Sequence, residues 1–168
     1  MRYFIPLFAG VCFPLAAFCQ DITGLWKGTM FNDSTRQSLQ YEIVINKDKG
    51  KYSGFSHTWF LINEKKYYGI KKIKVHVAND GKVIIQDQAL IENNYPILPN
   101  KNVLQLNVLD LAIRGDETIL DGPFVTKRTK DYNELTGHIN VKRINPSNES
   151  DLLQYLQKNI GNNFTAVK

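Results

Sequence analysis

Gly24-Leu25-Trp26-Lys27-Gly28-Thr29-Met30 opens the first strand of the chain, directly behind an apolar leader, and its reading decides the fold. The last clear strand, Thr136-Gly137-His138-Ile139-Asn140-Val141-Lys142-Arg143, lies beside it if the strands between them curl into a barrel. Trp26 then gains a cationic neighbour. Between these two stretches the 168-residue sequence offers one strand after another and no recognisable catalytic signature.

The leader is set aside first. Met1-Arg2 followed by the apolar run Tyr3 to Phe18 has the charged start and short apolar core of a secretory signal, and the run is too short for a convincing membrane span. Ala17 and Cys19 are small residues placed for a cut before Gln20, with a cut after Gln20 as the competitor. Residues 1–20 are therefore expected to be a signal peptide, and the product secreted or periplasmic with no transmembrane segment. Phe18, directly before Cys19, argues against lipid attachment to that cysteine. What remains, about 148 residues, is one domain by length.

Both cysteines, Cys12 and Cys19, lie in the leader, so the mature chain has no disulfide and must be held by packing and the hydrogen-bond ladder. Of 21 Lys and Arg and 16 Asp and Glu, only Arg2 is in the leader, leaving a net charge of about +4. That mild excess is spread along the chain, with clusters at Lys71-Lys72 and Lys127-Arg128-Thr129-Lys130. Nucleic acid is not an expected partner, because its binders concentrate basic and aromatic side chains on one face.

Polar Asn32 to Thr35 reads as a turn. The second strand alternates cleanly, with Leu39, Tyr41, Ile43 and Ile45 on one face and polar residues on a wet opposite face. Asp48-Lys49-Gly50 closes a hairpin. The third strand, 51–60, sets Tyr52, Gly54, Ser56, Thr58 and Phe60 against Phe55, His57 and Trp59. In the fourth, 67–78, Ile73, Val75 and Val77 oppose Lys72, Lys74 and His76. Asp80-Gly81 makes the strongest hairpin turn and the fifth strand, 82–91, follows. Asn93 to Asn100 is a loop with two prolines, read either as folded back on the core or as an apolar flap over a cavity mouth. In the sixth strand Leu104, Leu106 and Val108 alternate, then Leu109, Leu111 and Ile113 do so in the opposite phase, which predicts a β-bulge. The seventh strand, 118–125, is broken by Pro123.

About eight strands joined mostly by short turns make an antiparallel meander. Closing it into an up-and-down barrel removes the exposed edges, and a two-sheet sandwich is the alternative. After the barrel, 21–145, the tail 146–168 carries a short amphipathic helix. Ser147 or Asn148 is its expected cap, Leu152, Leu153, Leu156 and Ile160 form its apolar stripe, and Gly161 stops it.

At Asp21-Ile22-Thr23-Gly24-Leu25-Trp26-Lys27-Gly28 the chain resembles the calycin superfamily, and most closely the small secreted lipocalin-like proteins of Bacteroidetes, whose mature chains begin Asp-Ile-Thr-Gly-X-Trp-X-Gly. The resemblance implies an eight-stranded barrel with Trp26 at its closed end under an arginine, Arg143 by position or Lys142 as the alternative. The chain departs from the pattern in two ways. Lys130-Asp131-Tyr132 is a poor match to the usual Thr-Asp-Tyr, and the usual disulfide is absent. Ligand binding is implied by analogy alone.

His57, His76 and His138 fall on separate strands without metal-ligand spacing and read as surface residues, so no metal is expected. Tyr52-Ser53-Gly54-Phe55-Ser56-His57 lacks a nucleophile elbow. No argument pairs Glu42, Asp87, Asp110 or Asp121 as acid and base, so no catalytic residue, enzyme activity or cofactor is expected. The expectation is an exported, monomeric, all-β, lipocalin-like barrel holding a small apolar ligand against Tyr41, Ile43, Phe55, Trp59, Val75, Ile85 and Leu106. Register decides which face is inside, and a slip of one residue reverses it. The alternative is a barrel filled by its own side chains that serves as an envelope interaction or structural module, with Tyr95 to Leu98 and the tail helix as contact surfaces.

Overall fold

A computed structural model describes residues 21–97, 103–145 and 150–160. The proposed signal, Leu98 and Pro99 of the flap loop, the caps Ser147 and Asn148, and Gly161 lie outside the described residues. The elements are β1 (Gly24–Asn32), β2 (Gln37–Asp48), β3 (Lys51–Ile62), β4 (Lys65–Val77), β5 (Val83–Asn93), β6 (Gln105–Arg114), β7 (Glu117–Thr126), β8 (Thr136–Ile144) and α1 (Asp151–Ile160). The strands form a closed antiparallel barrel in sequence order, β8 returning to pair with β1. Every strand therefore has two neighbours and no sheet edge runs its full length exposed.

Alternation sorts the side chains. Trp26, Met30, Tyr41, Ile43, Ile45, Ile73, Val75, Ile85, Leu109, Leu120, Ile139 and Val141 pack inside as one core. Lys72, Lys74 and His76 point out and are exposed. Apolar inside and charged outside is the reverse of what a membrane-spanning barrel needs. Among the described residues no helix is long and apolar enough to cross a membrane.

The opposite face of β2 is not wet along its whole length. Leu25, Val44 and Ile70 form a second cluster with Leu152, Leu153 and Leu156 of α1, which lies along the outside of the barrel. The cap is Ser150, whose Oγ accepts the Leu153 N–H at 3.1 Å. Glu42, on the outer face of β2, adds a second cap, accepting the Leu152 N–H and the Ser150 hydroxyl at 3.0 Å each. Lys27 Nζ stands 3.1 Å from the same carboxylate and His57 Nδ1 3.7 Å. Burial pushes the Glu42 pKa up, but His57, the Leu152 N–H and Lys27 outweigh it and hold it at about 2. His57 is thus buried beneath the helix, not a surface residue as expected.

Two sequence expectations fail on register. The β6–β7 pairing keeps one register from Gln105 opposite Thr126 to Arg114 opposite Glu117, so β6 has no bulge. The ladder lapses only opposite Gly122 and Pro123, which is how β7 carries a proline, with no N–H to donate, without breaking. The irregularities sit in β5 instead. Its pairing with β4 shifts twice, leaving Gln88 and Ile91 as extra residues.

Candidate functional site: the Asp87 end of the barrel

The two ends of the interior differ in chemistry. At one end Gly24, with φ of 123°, turns the chain into β1 in a conformation that glycine accepts and L side chains resist. The aliphatic stem of Arg143 lies alongside Gly24. The Arg143 guanidinium sits 4.8 Å from the Trp26 ring centre and donates to the Asp21 carbonyl, while Trp26 Nε1 donates to the Ile22 carbonyl at 3.1 Å. Trp26 and Arg143 are directly paired across β1 and β8. Lys142, the alternative partner, points outward and bonds Glu117.

Beyond this end the core is solid. Ile43, Ile45, Ile73, Ile85, Leu109, Leu120 and Ile139 have no solvent-accessible surface, so no water-sized void touches them.

At the other end the inner face turns polar. Val83, Ile85 and Asp87 share one face of β5, as do Lys71, Ile73 and Val75 of β4 and Gln105, Asn107 and Leu109 of β6. Lys71 Nζ lies 2.5 Å from Asp87 Oδ2, with the lysine side chain 25% exposed and the aspartate 4%. β5 and β6 pair only from Val83 opposite Leu109 to Gln86 opposite Leu106, and then the two strands part. Asp87 Oδ2 accepts the Gln105 N–H at 3.1 Å across the split, in place of the ladder acceptor. Gln105 Nε2 donates to Asn107 Oδ1 at 2.8 Å, and Asn107 Nδ2 lies 3.4 Å from the Tyr41 hydroxyl. Burial, followed by the Asp87 charge, pushes the Tyr41 phenol well above its ordinary pKa, against hydrogen bonds from Ser56 and Asn107.

Tyr95 covers this cluster from the loop after β5. Its ring stacks on Phe60 with centres 6.0 Å apart, and its hydroxyl lies over Gly69, where any side chain would collide with it. Burial and the Asp87 charge together push its pKa up to about 12. In its described part the loop does fold onto the mouth, but through an aromatic ring with a polar tip.

The expected wall residues divide. Tyr41, Ile43, Val75 and Ile85 are in the interior core. Phe55 is not, because it packs on the outer cluster beside the helix. Trp59 shares the face of Phe55 and His57 and lies under Lys66 Nζ, 4.5 Å from its ring centre. Leu106 alternates with the buried Gln105 and Asn107 and so points outward. The correction has one cause: between Tyr52 and Phe60 the inner face of β3 carries the small residues Gly54, Ser56 and Thr58 while Phe55 and Trp59 face out, and on β6 the inner face is polar at this end.

Sequence reading missed Lys71, Asp87, Gln105 and Asn107. The signal was present, since Asp87 is in phase with Val83 and Ile85, and Lys71 with Ile73 and Val75. Among the described residues no group of three or more His, Cys, Asp or Glu is placed to hold a metal ion. The closed eight-stranded barrel with its C-terminal helix is consistent with a lipocalin-like fold. No protein-family model, curated protein or solved structure matches the chain.

Proposed function

We propose that the protein is an exported lipocalin-like carrier that holds a small amphipathic ligand in a shallow polar cup at the Asp87 end, not in a deep apolar calyx. One observation carries this reading: the Lys71–Asp87 pair sits inside the barrel, where a buried ion pair contributes little net stability compared with apolar packing. A charged group that stability does not need is accounted for by recognition. Lys71, the partly exposed member of the pair, offers a cation to an anionic head at the mouth, while Asn107, the Tyr41 hydroxyl and Ser56 form the buried polar floor beneath it. The solid core below the cup leaves the apolar part of the ligand to lie toward the mouth.

The second reading is the filled barrel acting as an interaction module. The inaccessible surface of Ile43, Ile73 and Ile85 favours it. Native mass spectrometry of protein purified gently from its own cells separates the two. A bound small molecule at near-unit occupancy supports the carrier. An empty barrel, together with no melting shift across fatty-acid, sterol and haem panels, supports the module.

A further inference from the structure

Large apolar side chains left in solvent are ordinary when single, but here they gather at one end. Leu61, 61% exposed, and its exposed neighbour Ile62 form the tip of β3, and Ile97, 82% exposed, lies in the loop that carries Tyr95. Ile91, the extra residue of the second β5 bulge, is exposed further back on the same half of the barrel. Among the described residues, Ile113 is the exposed large aliphatic side chain at the opposite end.

The tip is rigid. Asn63 and Glu64 both have positive φ, 49° and 64°, the two-residue turn that continues a hairpin twist. Behind the tip Phe60 stacks between Tyr67 and Tyr95. Lys65 Nζ stands 5.4 Å from the Tyr67 ring centre and Lys66 Nζ 4.5 Å from that of Trp59. Lys65 stands opposite Ile62 and Lys66 opposite Leu61, and both ammoniums fold back from the tip over the aromatic rings, that of Lys66 also pairing with Asp151. Aliphatic side chains thus stand foremost, with rings and folded-back ammoniums together behind them, as an acyl boundary and a headgroup zone require. Exposed Lys127, Arg128 and Lys130 stand in the loop after β7 at the same end, with Asp33, Glu64, Asp131, Glu134 and the Lys66 partner Asp151 as the acids around them.

We propose that this end of the barrel docks on a lipid bilayer, with Leu61, Ile62 and Ile97 entering the acyl boundary and Trp59 and Tyr67 resting at the headgroups. A protein partner would be served by the apolar tip alone. Lysines laid along the aromatic rings directly behind that tip fit a headgroup layer. The docking faces the proposed cup toward the membrane, yet it stands apart from the ligand reading because it rests on the rim alone.

The test is flotation of the full chain with vesicles of phosphatidylcholine and phosphatidylglycerol, free of any other ligand. Wild type floats, and Trp59 fluorescence shifts to the blue while the fully buried Trp26 does not respond. Leu61→Ser/Ile62→Ser lowers the partition coefficient about tenfold or more. Ile97→Ser gives a smaller loss, and Ile113→Ser, at the other end, gives none. All the altered side chains are exposed, and equal melting temperatures verify that lost flotation is not lost folding. Failure of wild type to float, flotation of the tip variant equal to wild type, or an equal loss from Ile113→Ser each overturns the proposal. A barrel that copurifies with a ligand but ignores vesicles overturns only this inference.

Discussion

The two ends of the barrel solve the same problem differently. Each holds a half-buried cation against the barrel interior. At the Trp26 end the Arg143 guanidinium has an aromatic face, a carbonyl and a well-filled core around it. At the Asp87 end Lys71 has a carboxylate, parted strands and a plugging tyrosine. The first arrangement is a closure, in which the guanidinium lies on the Trp26 ring and donates to the Asp21 carbonyl, with Nε left unpartnered. The second keeps charge and hydrogen-bonding capacity where packing alone would have used leucine. A third charge, Glu42 buried on the outer wall, resembles the first more than the second, because it is consumed in holding α1.

Substitutions separate these roles, and the largest effect belongs to the closed end. Trp26→Ala removes the largest core side chain from a site with no room to collapse and lowers stability by about 3 to 5 kcal/mol, measured by denaturant titration. An unchanged midpoint would show that Trp26 does not close the barrel. At the other end, Asp87→Leu alone strands Lys71 and costs about 3 kcal/mol in the same titration, whereas a cost near zero would mean that the pair is already solvated.

Acid should release the helix next. The pKa of folded Glu42 lies below its ordinary 4.5, so its contribution is complete above that value and is lost as pH falls through 4.5 toward about 2. The loss amounts to about 2 to 3 kcal/mol, and Glu42→Gln should flatten that part of the stability–pH curve. If the curve keeps its slope in the variant, other carboxylates carry the acid response. The smallest effect is expected of Ser150→Ala, which removes one cap at a cost of about 1 kcal/mol, read from the same melts. A variant that melts as wild type would assign the capping to Glu42 alone.

Much of the architecture was legible in the sequence because it depends on period and turn chemistry. Asp80-Gly81 and Lys49-Gly50 announced hairpins, and the alternation of Leu39, Tyr41, Ile43 and Ile45 set the inner face of β2 correctly. The candidate site was less legible, for a physical reason. Its side chains are polar on the inside, so a search for the apolar face placed Leu106 and Phe55 inward and interpreted the polar stretch of β6 as a bulge. Phe55 also illustrates a tertiary effect: it is apolar because α1 covers it, and nothing within β3 says where a helix from the far end of the chain will lie. Glu42 and His57 were unreadable for the same reason, since their burial comes from residues more than ninety positions away.

The account stands most directly on the Lys71→Met/Asp87→Leu double variant, compared with wild type by thermal melting and by native mass spectrometry of protein purified from its own cells. If the pair serves recognition, the double variant melts at or above the wild-type temperature, because apolar packing replaces a buried ion pair at little cost, and the small molecule that travels with wild type is lost. A double variant that melts well below wild type would make the pair a structural element. One that retains the same molecule would place recognition elsewhere, and either result would contradict the polar cup.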